Sequence, residues 1–130
     1  MNGISHHFSK EERLTSAKAI ERLFCEGESL VAYPVKIVWM KTANPLPFPA
    51  RAAFAVSRRN FQKAVDRNLL KRRMREAYRL NKASFYKSCG EERIILMFIY
   101  IAREVLPWEN IEKGVRTGLT RMTGKKKTDE

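Results

Sequence analysis

Apolar residues recur at helical intervals through Leu14, Ala17, Ile20, Leu23 and Phe24, and Gly27 closes the run. Ser9 followed by Glu12 has the spacing of a capping box, so the pattern predicts a first helix over about residues 10–26. Gly27 stands where a left-handed terminating residue would sit. Residues 30–41 are rich in β-branched and aromatic side chains and read as one strand with Pro34 near its start. The stretch TANPLPFP, residues 42–49, holds three prolines and must be a loop. Residues 51–57, RAAFAVS, form a second short strand. The continuous apolar run IILMFIYIA, residues 94–102, has the pattern of a strand buried on both faces and is expected at the centre of a sheet. Pro107 suits the first turn of a last helix, whose apolar edge is Ile111, Val115, Leu119 and Met122 and whose interior is weakened by Gly114 and Gly118.

The chain has 130 residues, 44% of them apolar, which suits one core rather than two. We expect a single domain over residues 1–124, flexible through about residue 8. The tail GKKKTDE has no apolar residue, and residues 125–130 are expected to be a disordered basic tail. The longest apolar run is too short to cross a bilayer, and the N-terminus lacks the apolar stretch of a secretory signal. With only Cys25 and Cys89, two separate thiols in a reducing cytoplasm are the expectation.

Charge changes the picture most. The net charge is +12, beyond what solubility requires, and it implies a polyanionic partner. Residues 51–82 carry eleven Lys or Arg against two acids, Asp66 and Glu76, so nine of the twelve net charges fall there. At about 100° per residue, Asn68, Lys71, Arg72, Arg75 and Arg79 share one arc of a helix, and Leu70, Met74, Ala77 and Tyr78 lie opposite. One side would anchor in the core while the other presents guanidinium forks able to grip phosphate or stack on an unpaired base. A solvated helix face built from opposite-charge pairs would need alternating signs, which two acids cannot supply. No enzyme constellation accompanies it: His6 and His7 are adjacent near the terminus, the glutamates form no metal-binding spacing, and no glycine-rich phosphate loop is present. No catalytic residue, metal ligand or bound cofactor is expected. A DNA-binding module would need a support helix before the basic one, whereas a strand leads into it, so DNA is not the expected partner. A structural or ribosomal RNA-binding protein is a reading that charge alone leaves open.

The stretch AVSRRNFQKAVDRNLLKRRMREAYRLNK resembles the signature of the bacterial ribonuclease P protein component, through Lys63, Ala64, Val65, Arg67, Asn68, Lys71, Arg72, Arg75 and Glu76. Upstream, RLTSAKAIERLFCEG is similar to that family's first helix, and the likeness runs from about Arg13 to Met122. The resemblance implies an α+β fold, ribosomal protein S5 domain 2-like, with a central mixed β-sheet flanked by helices and a left-handed βαβ crossover. General rules favour the opposite hand. It also implies a non-catalytic subunit that binds a catalytic RNA and the 5′ leader of precursor tRNA, with magnesium held through the RNA. The residues so assigned to RNA are Arg58, Arg59, Lys63, Arg67, Asn68, Lys71, Arg72, Arg73, Arg75 and Arg79; Ile20, Phe24, Lys36 and Val38 would line a cleft for the leader. The family's third motif arginine is replaced by Leu69, and Arg73, one turn on, is the expected substitute. Leader preference, affinity and oligomeric state are open.

Overall fold

The computed structural model describes residues 8–43 and 47–128, with side chains as far as Thr123. Its elements, after one 3-10 turn at Lys10–Glu12, are α1 (Ala17–Glu26), β1 (Glu28–Ala32), β2 (Val35–Lys41), β3 (Ala50–Val56), α2 (Ala64–Cys89), β4 (Ile94–Tyr100) and α3 (Trp108–Thr128). The strands form one mixed sheet in the order β1-β2-β4-β3, antiparallel except for the parallel pair β3 and β4 that α2 connects. This is the expected α+β fold with a central mixed sheet flanked by helices.

β4 is interior, as its unbroken apolar run requires, and its alternate residues feed two separate cores. Leu96, Phe98 and Tyr100 meet Ile37 and Trp39 of β2 and Leu70, Met74 and Tyr78 of α2 on one face. Met97 and Ile95 meet Val38 and Leu23 of α1 on the other. Burying a side chain such as Leu23 completely stabilises the fold by about 1.5–3 kcal/mol, which holds the short α1 in place despite its few turns.

Local chemistry departs from the sequence pattern at several points. The strand expected over 30–41 is a hairpin, because Tyr33 and Pro34 form a turn from which β2 folds back on β1, pairing Ala32 with Val35. Proline lacks the N–H that a central ladder needs, so it marks the turn. The Ser9–Glu12 pattern caps only the 3-10 turn: the Ser9 N–H donates to Glu12 Oε1 at 2.9 Å. Residues 13–16 then run extended, with the Leu14 N–H donating to the Ala52 carbonyl of β3 at 2.8 Å. The true cap of α1 is Ser16, whose Oγ accepts from the Ala19 N–H. Gly27 is extended rather than left-handed; a Cβ there would lie 2.5 Å from the Leu23 carbonyl, so close approach requires the glycine.

Phe8, expected within a flexible terminus, is buried against Phe54 and Tyr78. The remainder of that expectation, residues 1–7, lies outside the described residues. The backbone of α3 continues through residues 125–128, where a disordered tail was expected; lysine is a good helix former and extends a helix already anchored by Ile111, Val115, Leu119 and Met122. Residues 129 and 130 lie outside the description. Gly114 and Gly118 let α3 sit close on the hairpin, with Gly114 against Pro34 and the Ala32 carbonyl and Gly118 against Ile37.

Candidate nucleic-acid interface

α2 divides lengthwise as its sequence requires. Leu70, Met74, Ala77, Tyr78, Phe85 and Tyr86 are buried, and Asn68 and Arg72 are exposed on the far side, with Lys71, Arg75 and Arg79 partly exposed beside them. Arg72, Arg75 and Arg79 border a single shallow depression. Among the described residues neither Arg72 nor Arg75 has a carboxylate within 4 Å. Arg79 pairs with Glu76, Nε to Oε1 at 2.7 Å. The hydrogen bond from Arg79, aided by the charge of Arg75, holds the Glu76 carboxyl below its ordinary value, as expected beside excess positive charge.

The other predicted cations divide by function. Arg58 and Arg59 are exposed in the turn after β3, and Lys63 is exposed as the residue preceding α2. Arg67 turns one Nη1 back onto the Phe61 and Gln62 carbonyls at 2.9 Å each, which fixes the loop leading into the helix. Arg73, the expected substitute for the arginine missing at Leu69, is partly exposed and tied back to the chain. Its Nη1 donates to the Leu106 carbonyl at 2.8 Å, in the loop before α3 that the Tyr100 hydroxyl also pins through Glu104 and Leu106. At about 100° per residue Arg73 stands well round the helix from Arg72, Arg75 and Arg79 and reaches the chain instead. Lys82, counted in the basic block, is 1% exposed and bound to Glu12, so it presents no charge outward.

The second candidate region lies on the opposite sheet face, along α1. Phe24 is 57% exposed, which removes core packing as the reason for an aromatic there. Ile20, one turn earlier, is partly buried beside it. Lys36 and Val38 share the α1 face of β2, while Trp39 points to the other core. Val38 is buried beneath α1, so it forms the floor of this region and not an open wall. Past α1, the row Ala55, Ile99, Lys36 and Val31 crosses the sheet and stays at least partly exposed. A half-covered apolar strip beside a lysine suits unpaired nucleotides, whose bases stack while the backbone is neutralised.

Sequence periodicity missed Phe8 and Arg13. Both lie before the first regular helix, and contacts with distant segments bring them beside α2: the pairing of residues 13–14 with Ala52 and the anchoring of Glu12 to Lys82 and Tyr86. No local pattern carries that signal.

Among the described residues no group of three or more His, Cys, Asp or Glu is placed to hold a metal ion, and no helix is long and apolar enough to cross a membrane. No disulfide links Cys25, which is exposed, to Cys89, which is buried.

Comparison with known proteins gives a consistent result. The family model described as Ribonuclease P matches residues 8–123. A ribonuclease P protein component from Porphyromonas gingivalis is 31% identical over 118 residues, covering 89% of this chain and 86% of that protein. Another from Chlorobium phaeobacteroides is 37% identical over 100 residues, covering 75% and 68%. Among solved structures, the RNase P protein of Thermotoga maritima in complex with 1-(4-fluorophenyl)-2-thiourea superposes with a TM-score of 0.69 at 24% identity, covering 84% of this chain and 98% of that one. The Staphylococcus aureus RNase P protein gives 0.67 at 19%, covering 85% and 94%. These two show the shared fold.

Proposed function

The chain belongs to the ribonuclease P protein family, and from that premise we propose that it is the protein subunit of a ribonuclease P that binds a catalytic RNA and the 5′ leader of precursor tRNA. The observation that carries this reading is the division of α2, with Asn68, Lys71, Arg72, Arg75 and Arg79 on one side and a buried apolar stripe on the other. A rigid rod fixed by its core face holds the bases of these side chains at constant spacing, so gripping phosphate orders the side chains alone and not the backbone beneath them. Arg58, Arg59 and Lys63 extend the cationic surface at the N-terminal end of the rod, and Arg67 shapes the loop between them.

The leader would run along the strip beside α1. Phe24 supplies a stacking face, Ile20 and Val38 an apolar floor, and Lys36 a charge for the backbone. Binding there discriminates precursor from product, because the matured tRNA has no leader to contact the strip. This chain contributes binding and orientation, with no side chain assigned to proton transfer or nucleophilic attack. The RNA would hold the magnesium ions that activate water for hydrolysis of the phosphodiester at the mature 5′ end. A cytoplasmic location follows from these partners.

Reconstitution with a bacterial ribonuclease P RNA at low magnesium tests the proposal. The wild-type chain restores precursor cleavage, whereas a structural or ribosomal RNA-binding protein would bind RNA and leave cleavage unrestored.

A further inference from the structure

The extended segment before α1 brings a cation to the α2 face that no helical periodicity places there. Arg13 lies with Arg72, Arg75 and Arg79 around a depression of about 220 Å³, which Phe8 and Glu76 complete. We propose that these four arginines form a phosphate-binding pocket for an RNA backbone, in which Arg13 supplies the cation that α2 alone lacks. The proposal rests on the reading of the chain as an RNA-binding subunit and adds a site and a residue to it.

Four arginines line this depression with one glutamate, whose carboxylate is already engaged by Arg79. Among the described residues Arg13, like Arg72 and Arg75, has no carboxylate within 4 Å. Like charges crowded this way repel unless an anion bridges them, and a phosphodiester brings one negative charge with two non-bridging oxygens that guanidinium forks match. The volume accommodates one phosphate group and is too small for a folded element. Its shallow, open form lets a polymer backbone enter and leave.

Arg13 is also held ready. Its guanidinium carbon stands 5.7 Å from the centre of the Phe8 ring, and that ring is packed edge-on against Phe54 and Tyr78. Its backbone is fixed on both sides: the Arg13 N–H donates to the Lys10 carbonyl at 3.2 Å, and the Leu14 N–H to Ala52 at 2.8 Å. The preceding residue, Glu12, is buried and anchored to Lys82 and Tyr86 of α2. A cation fixed in position loses less freedom on binding than a lysine on a loose arm.

The phosphate could belong to the catalytic RNA or to the precursor, so the test has two arms. Binding of Arg13→Ala to the RNA subunit alone, and binding of precursor tRNA to the assembled complex, are each measured against salt. In one arm, which identifies the source, affinity falls roughly tenfold and the log–log salt slope becomes shallower by about one. Arg13→Lys restores the slope but not the full affinity, since ammonium cannot form the fork. Unchanged affinity and slope in both arms, with Arg72→Ala impaired, overturns the pocket and leaves the RNA-binding reading standing. Weaker binding at unchanged slope overturns it too, because a structural role removes no phosphate contact. If Arg13→Ala and Arg72→Ala both match wild type in both arms, the pocket falls together with the reading beneath it.

Discussion

Lys82 Nζ on α2 donates to Glu12 Oε2 at 2.8 Å, across 70 residues of chain, with both side chains almost wholly buried. Tyr86 donates to the same oxygen at 2.5 Å, and the Ser9 N–H and hydroxyl supply the other. Every strong acceptor position of the carboxylate is used, and the N-terminal turn is thereby locked to the far half of the basic helix. Lys82→Met removes the cation and leaves the carboxylate buried, which costs about 3–5 kcal/mol of stability. Adding Glu12→Gln recovers part of that loss, because no unpaired charge then remains. Urea denaturation of the two single variants and the double variant measures the non-additivity.

The same carboxylate makes stability depend on acid. Burial alone would push the Glu12 carboxyl up, but hydrogen bonds from Lys82, Tyr86 and Ser9 outweigh it and hold the group below its ordinary value of 4.5. A folded value below the unfolded one means that the contribution is complete above the unfolded value and is lost as pH falls through the folded one. The Tm difference between wild type and Glu12→Gln is therefore constant near neutrality and narrows as pH drops below 4.5. A gap that widens on acidification would reverse the sign.

The two glycines of α3 should respond differently to alanine. At Gly114 a Cβ would meet the Ala32 carbonyl at 2.9 Å and the Tyr33 carbonyl at 3.0 Å, and backbone cannot step aside cheaply. Overpacking of about 1–3 kcal/mol outweighs a helix-propensity gain of about 1 kcal/mol, so Gly114→Ala destabilises. At Gly118 the obstacle is the Ile37 Cδ1 methyl, which can rotate away, so Gly118→Ala is close to neutral. Thermal unfolding of both variants separates the cases.

Phe24→Ala should leave stability almost unchanged, since the ring is more than half exposed. If the ring stacks on a leader base, the variant loses about 1–3 kcal/mol of precursor affinity and none for mature tRNA. Affinity for both ligands is measured on the assembled ribonucleoprotein. An equal loss for both would place the ring elsewhere.

Much of this architecture was legible in the chain. The run 94–102 announced a strand buried on both faces because β4 feeds two cores at once. The split of α2 was legible because helical geometry alone sets which residues share an arc, and Leu70, Met74, Ala77 and Tyr78 are all buried. What escaped were contacts between distant segments. Leu14 follows the helical period yet pairs with Ala52, so α1 starts later than its pattern suggests. Lys82 looks like one more surface cation until Glu12 is brought to it, and the hydrogen bond of Arg73 to Leu106, 33 residues on, has no local signal. The β-rich pattern places Pro34 in a strand, whereas it makes the turn of a hairpin.

The central claim is that cations along one side of α2 hold RNA by its phosphates, and salt dependence tests it most directly. Affinity for a bacterial ribonuclease P RNA is measured across a salt series for wild type and for a variant with Arg67, Lys71, Arg72 and Arg75 neutralised together. With about six phosphates engaged, wild-type binding weakens steeply with salt, and the variant binds more weakly with a slope shallower by about three. Equal affinity and an equal slope in the two proteins would contradict the account.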